Sequence, residues 1–228
     1  MSTQNAEVTQ QAASAGQMIR TLMGIAMLSG FLVVMIYQIT KPMIEENQRI
    51  AIEKAVFQVI PGAVSRLDYY LTENGISQQP GDKGSNSLPV YAGYDAEGRL
   101  KGIAAKAGAQ GYADMIHLLY GYDPACECIR GIKVLKLAET PGLGDKIITD
   151  TNFVANFTAL EAKLSADGKS LAHPIETVKH GTKRNAWEVD AISGATISSK
   201  AVGKALNQSA EAILPKLAPH LSKLEDAL

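Results

Sequence analysis

Cysteine is scarce in this chain of 228 residues, which holds only Cys126 and Cys128. Two are too few for a disulfide scaffold, and they lack the second ligand pair that a zinc or iron–sulfur site needs. The four histidines, His117, His173, His180 and His220, are scattered, so no metal-spaced cluster exists. A Gly-x-Ser-x-Gly elbow and a Walker-type phosphate loop are also missing. Charge of one sign is not in excess: 22 Lys and Arg face 23 Asp and Glu, and no basic tract stands out. Nucleic-acid binding is therefore excluded. What remains is 46% hydrophobic and 20% charged, an ordinary globular composition sized for one large domain or two small ones.

One long run without charge is present. Residues 1–20 read as a polar, disordered tail rich in Gln, Ser, Thr and Ala. Thr21 to Thr40 then contains no charged residue, and twenty helical residues span roughly 30 Å, the thickness of a bilayer's hydrocarbon core. A cleaved signal peptide fits less well, because the apolar run exceeds the usual ~7–15 residues and no small-x-small site follows it. A buried core helix also fits less well, since Leu22 to Tyr37 has almost no polar face. Residues 41–62 predict a connecting helix, with Ile50, Ala51, Ala55 and Val59 among charges, ending at Pro61-Gly62. Arg20 precedes the apolar run, and Lys41, Arg49 and Lys54 follow it. That count mildly favours a cytoplasmic C-terminal domain.

Residues 63–228 predict the folded domain. Leu71 to Asn86 reads as a surface loop. Strands are expected at Leu88–Tyr94, Leu100–Ala107, Met115–Tyr122 and Ile129–Ala138, the first pair joined by the turn Asp95-Ala96-Glu97-Gly98. The Cys126-Glu127-Cys128 pair falls in a hairpin turn, either incidental or forming a bridge if the domain meets an oxidising compartment. Asp150 or Thr151 can cap a helix with the stripe Phe153, Phe157, Leu160 and Leu164. Ile175–His180 and Ala186–Val189 read as short returning strands. The fold class is α+β: one N-terminal transmembrane helix, then a mainly antiparallel sheet packed with helices.

The chemistry concentrates in Asp190-Ala191-Ile192-Ser193-Gly194-Ala195-Thr196-Ile197-Ser198-Ser199-Lys200-Ala201-Val202. Val202, Leu206, Ala210 and Ile213 then recur at helical spacing, so the hydroxyls crowd a helix's first turn. That end carries free N–H groups and the positive pole of the dipole, a site for an anion such as phosphate. Ordinary N-capping by a Ser or Thr is the competing reading of the same spacing.

This stretch resembles the flavinylation motif, Ser/Thr-Gly-Ala-Thr with a hydroxyl two residues on, of a family of FMN-binding domains. The family is shared by the G subunit of Rnf-type ion-translocating electron transport complexes and the C subunit of sodium-translocating NADH:quinone reductases. Glu139-Thr140-Pro141-Gly142-Leu143-Gly144 is similar to a second family segment, a loop placed against the flavin. The resemblance implies FMN esterified through its phosphate to Thr196, with Ser193, Gly194, Ala195, Ser198 and the 139–144 loop around it. It implies that a magnesium-dependent flavin transferase recognises Asp190 and attaches FMN from FAD. Gly108 to Tyr112 resembles a further turn near the ligand, and Tyr112 and Trp187 are candidates for stacking on the ring.

By this resemblance the chain is a flavoprotein anchored in the bacterial inner membrane, with its domain on the periplasmic side, against the charge count. It would relay electrons among the other members of an ion-translocating ferredoxin:NAD oxidoreductase complex, with the lipid bilayer as a further partner and no complete active site of its own. The modest length and the fit of Ile192 to Val202 lean toward the Rnf-type G subunit over the quinone-reductase C subunit. A non-redox sensor or scaffold, with Thr196 only a cap, is the alternative from another class.

Overall fold

The computed structural model describes residues 14–72, 75–79 and 87–225. The chain forms two compact units, residues 1–49 and 50–228. Helix α1 (Ala15–Val59) makes up the described part of the first and enters the second. Its apolar side chains from Met18 to Ile44 are exposed, and among the described residues it is the one helix long and apolar enough to cross a membrane.

Two expectations change here. Residues 15–20 are the first turns of α1, because Ala15, Gln17, Met18 and Arg20 favour the helix and outweigh Gly16. Residues 1–13 lie outside the described residues. Nor is there a break between the apolar run and the connecting helix: α1 passes through Pro42, and the unit boundary falls after Arg49. A proline removes a single backbone donor, and the Thr40 hydroxyl donates to the Ile36 carbonyl at 2.9 Å one turn earlier.

In the second unit a seven-stranded antiparallel sheet runs in the order β2-β1-β3-β4-β5-β6-β7. Its strands are β1 (Ser65–Thr72), β2 (Gly75–Ser77), β3 (Leu88–Tyr94), β4 (Leu100–Gln110), β5 (Met115–Asp123), β6 (Cys128–Lys136) and β7 (Leu160–Glu161). Asp95 closes the β3–β4 turn by accepting from the Glu97 and Arg99 N–H groups at 3.1 and 2.9 Å. The expected surface loop is partly strand, since Leu71 and Thr72 end β1 and Gly75 to Ser77 form β2; residues 80–86 of it lie outside the described residues.

On one sheet face Val90, Ala92, Ile103, Ala105, Leu118 and Tyr120 pack with helix α4 (Thr196–Leu217). The expected stripe of Val202, Leu206, Ala210 and Ile213 is buried there. A short 3₁₀ turn (Ala218–His220) and helix α5 (Leu221–Glu225) follow, and Tyr94 donates its hydroxyl to the Leu224 carbonyl at 2.8 Å.

The helix expected to carry Phe153 to Leu164 is much shorter. Two single-turn helices, α2 (Lys146–Thr149) and α3 (Thr151–Ala155), stand there, with Asp150 capping α3 by accepting from the Phe153 N–H at 3.0 Å. Asn156 ends α3: its side-chain amide donates to the Phe153 carbonyl, competing with the ladder, and also binds the backbone of the distant Asp190. Phe157 still packs edge-on against Phe153, and Leu160 belongs to β7. Strands β8 (Glu176–Val178) and β9 (Glu188–Asp190) pair in parallel as a separate sheet.

The other face of the main sheet receives residues 55–60, where Ala55, Val56, Val59 and Ile60 cover Tyr91, Ala104 and Leu119. Close approach is allowed by glycines in register, Gly93 opposite Gly102 and Gly121 opposite Gly131. A Cβ at Gly93 would stand 2.9 Å from Ile60 Cδ1, and one at Gly121 would run into the Val59 carbonyl oxygen. Backbone cannot rotate away as a side chain does. Gly121→Ala is therefore expected to destabilise the protein by about 1–3 kcal/mol, read as a lowered urea midpoint of the detergent-solubilised full chain. An unchanged midpoint would show that residues 59 and 60 are not held against the sheet.

Candidate functional site

Strand β9 leads into the hydroxyl-rich turn. Ala191 and Ile192 are buried, Gly194 turns the chain with φ +83°, and the Ala195 N–H closes the turn on the Ile192 carbonyl at 3.1 Å. Only glycine adopts that φ without cost. Helix α4 begins at once, with Ala195 at the cap position and no side-chain cap. Ser199 ties turn to helix from inside: it accepts from the Ile192 N–H at 3.0 Å and donates to the Ala195 carbonyl at 2.9 Å.

Thr196 is consequently the first residue inside the helix, and it is exposed. A capping role for it does not apply, because a cap stands outside the first turn. Among the described residues no partner is found for its hydroxyl. The first backbone bond of the helix runs from Ser199 N–H to Ala195, so the N–H groups of residues 196–198 point out of the helix end.

The opposite wall comes from the loop after β6. Glu139 is buried, at 7% exposure, yet carries a carboxylate. Its Oε2 accepts from the Ser198 hydroxyl at 2.5 Å and its Oε1 from the Ala113 N–H at 3.1 Å. One side chain thus joins the β4–β5 connection, the 139–144 loop and the start of α4. Glycines surround it for lack of room: a Cβ at Gly144 would lie 2.5 Å from Glu139 Oε2 and 2.6 Å from Ser198 Oγ, and one at Gly111 would strike Glu139 Oε1.

These walls enclose an open cleft of about 500 Å³, within the range of small-molecule sites. Tyr112, Leu143 and Ile197 line it and are 70, 50 and 54% exposed, an apolar rim around the free helix end. Thr140, Gly144, Gly194, Ala195, Thr196 and Ser198 complete it with Glu139. Beside it, the Met115 N–H and then Lys136 hold the Asp114 carboxyl below its ordinary value, so it stays anionic.

Not every expected residue reaches the cleft. Pro141 and Gly142 form the exposed outside of the loop turn, with Leu143 N–H bonded to the Thr140 carbonyl at 3.2 Å. Ser198 faces the cleft, but its hydroxyl proton is taken by Glu139. Ser193 and Asp190 line a different hollow of about 290 Å³, with Lys146, Asp150, Asn152 and His180. The Asp190 carboxylate accepts from the Gly181 N–H at 2.7 Å and lies 3.6 Å from His180 Nδ1. Nearby, burial lowers the Lys183 amine below the usual lysine value against the opposing pull of Asp190 and Glu188. Trp187 is not at the cleft; it stacks on His173 at 3.8 Å, leaving Tyr112 as the aromatic that lines the cavity. Ser199, expected with Ser193, Thr196 and Ser198 to offer its hydroxyl to an anion, is buried and back-bonds inside the turn instead.

Residues 111–211 match the FMN-binding domain family, a span that contains both walls of the cleft. The fold agrees with solved structures. One is NqrC of Shewanella oneidensis (19% identity, TM-score 0.55, 78% of this chain and 98% of that one). Another is the C subunit of the Na(+)-translocating NADH-quinone reductase of Parabacteroides distasonis (22% identity, TM-score 0.56, 78% and 94%). The class is thus an α+β domain of the FMN-binding type. Sequence relatives narrow it. The G subunit of the ion-translocating oxidoreductase complex of Methanosarcina acetivorans is 29% identical over 86% of this chain and 92% of its own. The G subunit of the Na(+)-translocating ferredoxin:NAD(+) oxidoreductase complex of Acetobacterium woodii is 33% identical over 72% and 70%. The chain belongs to this family, the G subunits of ion-translocating oxidoreductase complexes.

The Glu139 bridge generates a test. Ser198→Ala removes a donor to a buried carboxylate and is expected to cost about 1.5–3 kcal/mol in urea unfolding. A loss below about 0.5 kcal/mol, typical of a surface change, would show that the contact does not hold the walls together.

Proposed function

We propose that this chain is a membrane-anchored flavoprotein that carries FMN as a phosphoester on Thr196 and relays electrons within an ion-translocating oxidoreductase complex. The observation that carries this is the exposed Thr196 hydroxyl at the rim of the cleft, on the first residue of α4 and without a partner among the described residues. The residues fit the group. Free N–H groups at the helix end suit a phosphate, and Tyr112, Leu143 and Ile197 offer apolar contact to a planar ring.

Attachment from FAD forms a bond between Thr196 Oγ and the flavin's phosphorus, breaks the pyrophosphate bond, and releases AMP. The hydroxyl proton passes to a base of the transferase. Asp190 and its hollow lie across the Gly194 turn from the cleft wall, where an enzyme can grip the motif without blocking the flavin. Once bound, FMN supplies the one- and two-electron chemistry. The chain's residues do the rest: the N-terminus of α4 holds the phosphate, the 139–144 loop shields one side of the site, and Glu139 keeps the two in register.

Helix α1 anchors the domain in the cytoplasmic membrane. The periplasmic side is the reading that follows the family, because a few flanking charges are a weak signal for a long translocated domain. The remaining members of the complex, the transferase and lipid are the partners. Assignment to a quinone-reductase C subunit rests on fold likeness alone, whereas the sequence relatives above are G subunits.

Co-expressed with a flavin transferase, the wild-type chain is expected to keep flavin fluorescence through a denaturing gel. Thr196→Ala is expected to lose it completely, and Thr196→Ser to retain a measurable fraction. Fluorescence persisting in Thr196→Ala would overturn the assignment.

A further inference from the structure

The Cys126–Cys128 pair plays no part in the flavin cleft, and the structure joins it in a disulfide with the Cα atoms 5.2 Å apart. The bridge sits at the β5–β6 turn, where Asp123 pairs with Cys128. The cleft lies at the other end of the same hairpin, beyond Met115 and Lys136. Nine residues of β5 separate the two ends by about 27 Å.

Stability does not account for this bridge. A cross-link between residues two apart closes a very short loop and removes little freedom from the unfolded chain. Other bonds already hold the turn: Asp123 accepts from the Ala125 N–H at 2.9 Å, and the Glu127 carbonyl accepts from the Ala162 N–H at 2.9 Å. The bridge also coincides with a backbone cost. Glu127, between the two cysteines, has φ +51°, the only positive φ of a non-glycine among the described residues. A residue in this region closes many short hairpin loops, and one other than glycine occupies it at a steric cost. Access is uneven: Cys126 is half-buried between exposed Ala125 and Glu127, while Cys128 is buried.

We propose that Cys126–Cys128 is a thiol–disulfide exchange site, a two-electron centre apart from the Thr196 cleft, whose substrate is an external dithiol. A thiolate of the dithiol attacks Cys126 Sγ, the more accessible sulfur. The Cys126–Cys128 bond breaks, and Cys128 leaves as a thiolate that takes up a proton. The partner's second thiol, losing its proton, then attacks the mixed disulfide, so the dithiol ends as a disulfide and Cys126 is released as a thiolate that is protonated in turn. Two electrons pass to the chain, and protons balance between the partners.

The test uses the full chain in detergent, equilibrated with graded ratios of reduced and oxidised dithiothreitol, quenched with acid and mass-tagged with a maleimide. The native bridge is expected to open at the same ratio as in urea-unfolded protein or a lower one, with circular dichroism unchanged. A native bridge that holds to a ratio tenfold or more higher than the unfolded one serves stability, and would overturn the proposal. So would thiols already free in protein prepared in air without reductant.

Discussion

A buried carboxylate has to be satisfied, and in this fold the satisfaction of Glu139 sets the geometry of everything around it. Left unpaired, such a charge costs several kcal/mol. Its two oxygens take one hydroxyl from α4 and one N–H from the β4–β5 connection. Three segments far apart in sequence are thereby brought to one spot. The glycines at 111 and 144 follow from this, because the space a Cβ would need is filled by the carboxylate itself.

The bridge leaves the helix end free. Ser198 turns inward to Glu139 and Ser199 turns inward to the Ile192–Ala195 turn, so two of the motif's hydroxyls are used for structure. Thr196, on the outer side of the same first turn, is left facing the cleft, where the helix dipole favours negative charge. A scaffold of this kind places one reactive hydroxyl beside an apolar hollow without needing a base of its own. Chemistry on that hydroxyl is then the task of a visiting enzyme, and redox chemistry that of the group attached.

Legibility in the sequence tracks how local the cause is. Strands β3 to β6 are readable because alternation and the Asp95 turn are encoded within a few residues, and the α4 stripe because its period is regular over about three turns. Strand β1 carries a period-two signal in Leu67, Tyr69 and Leu71, masked by the polar stretch after it. The Phe153 stripe misleads because Asn156 breaks the helix by bonding to Asp190, 34 residues away. The candidate site is legible as two motifs but not as a contact: Glu139 and Ser198 are 59 residues apart, and nothing between them announces the bond. Trp187 suggests a stacking residue by type alone, and its true neighbour, His173, comes from the loop before β8.

The most direct measurement is a peptide map of the full chain matured beside its flavin transferase, locating the FMN phosphoester by tandem mass spectrometry. The modification is expected on Thr196 and on no other hydroxyl of the turn, since Ser198 and Ser199 are committed to structure and Ser193 faces another hollow. FMN found on Ser193 or Ser198, or a fully matured chain with no modified residue, would contradict it.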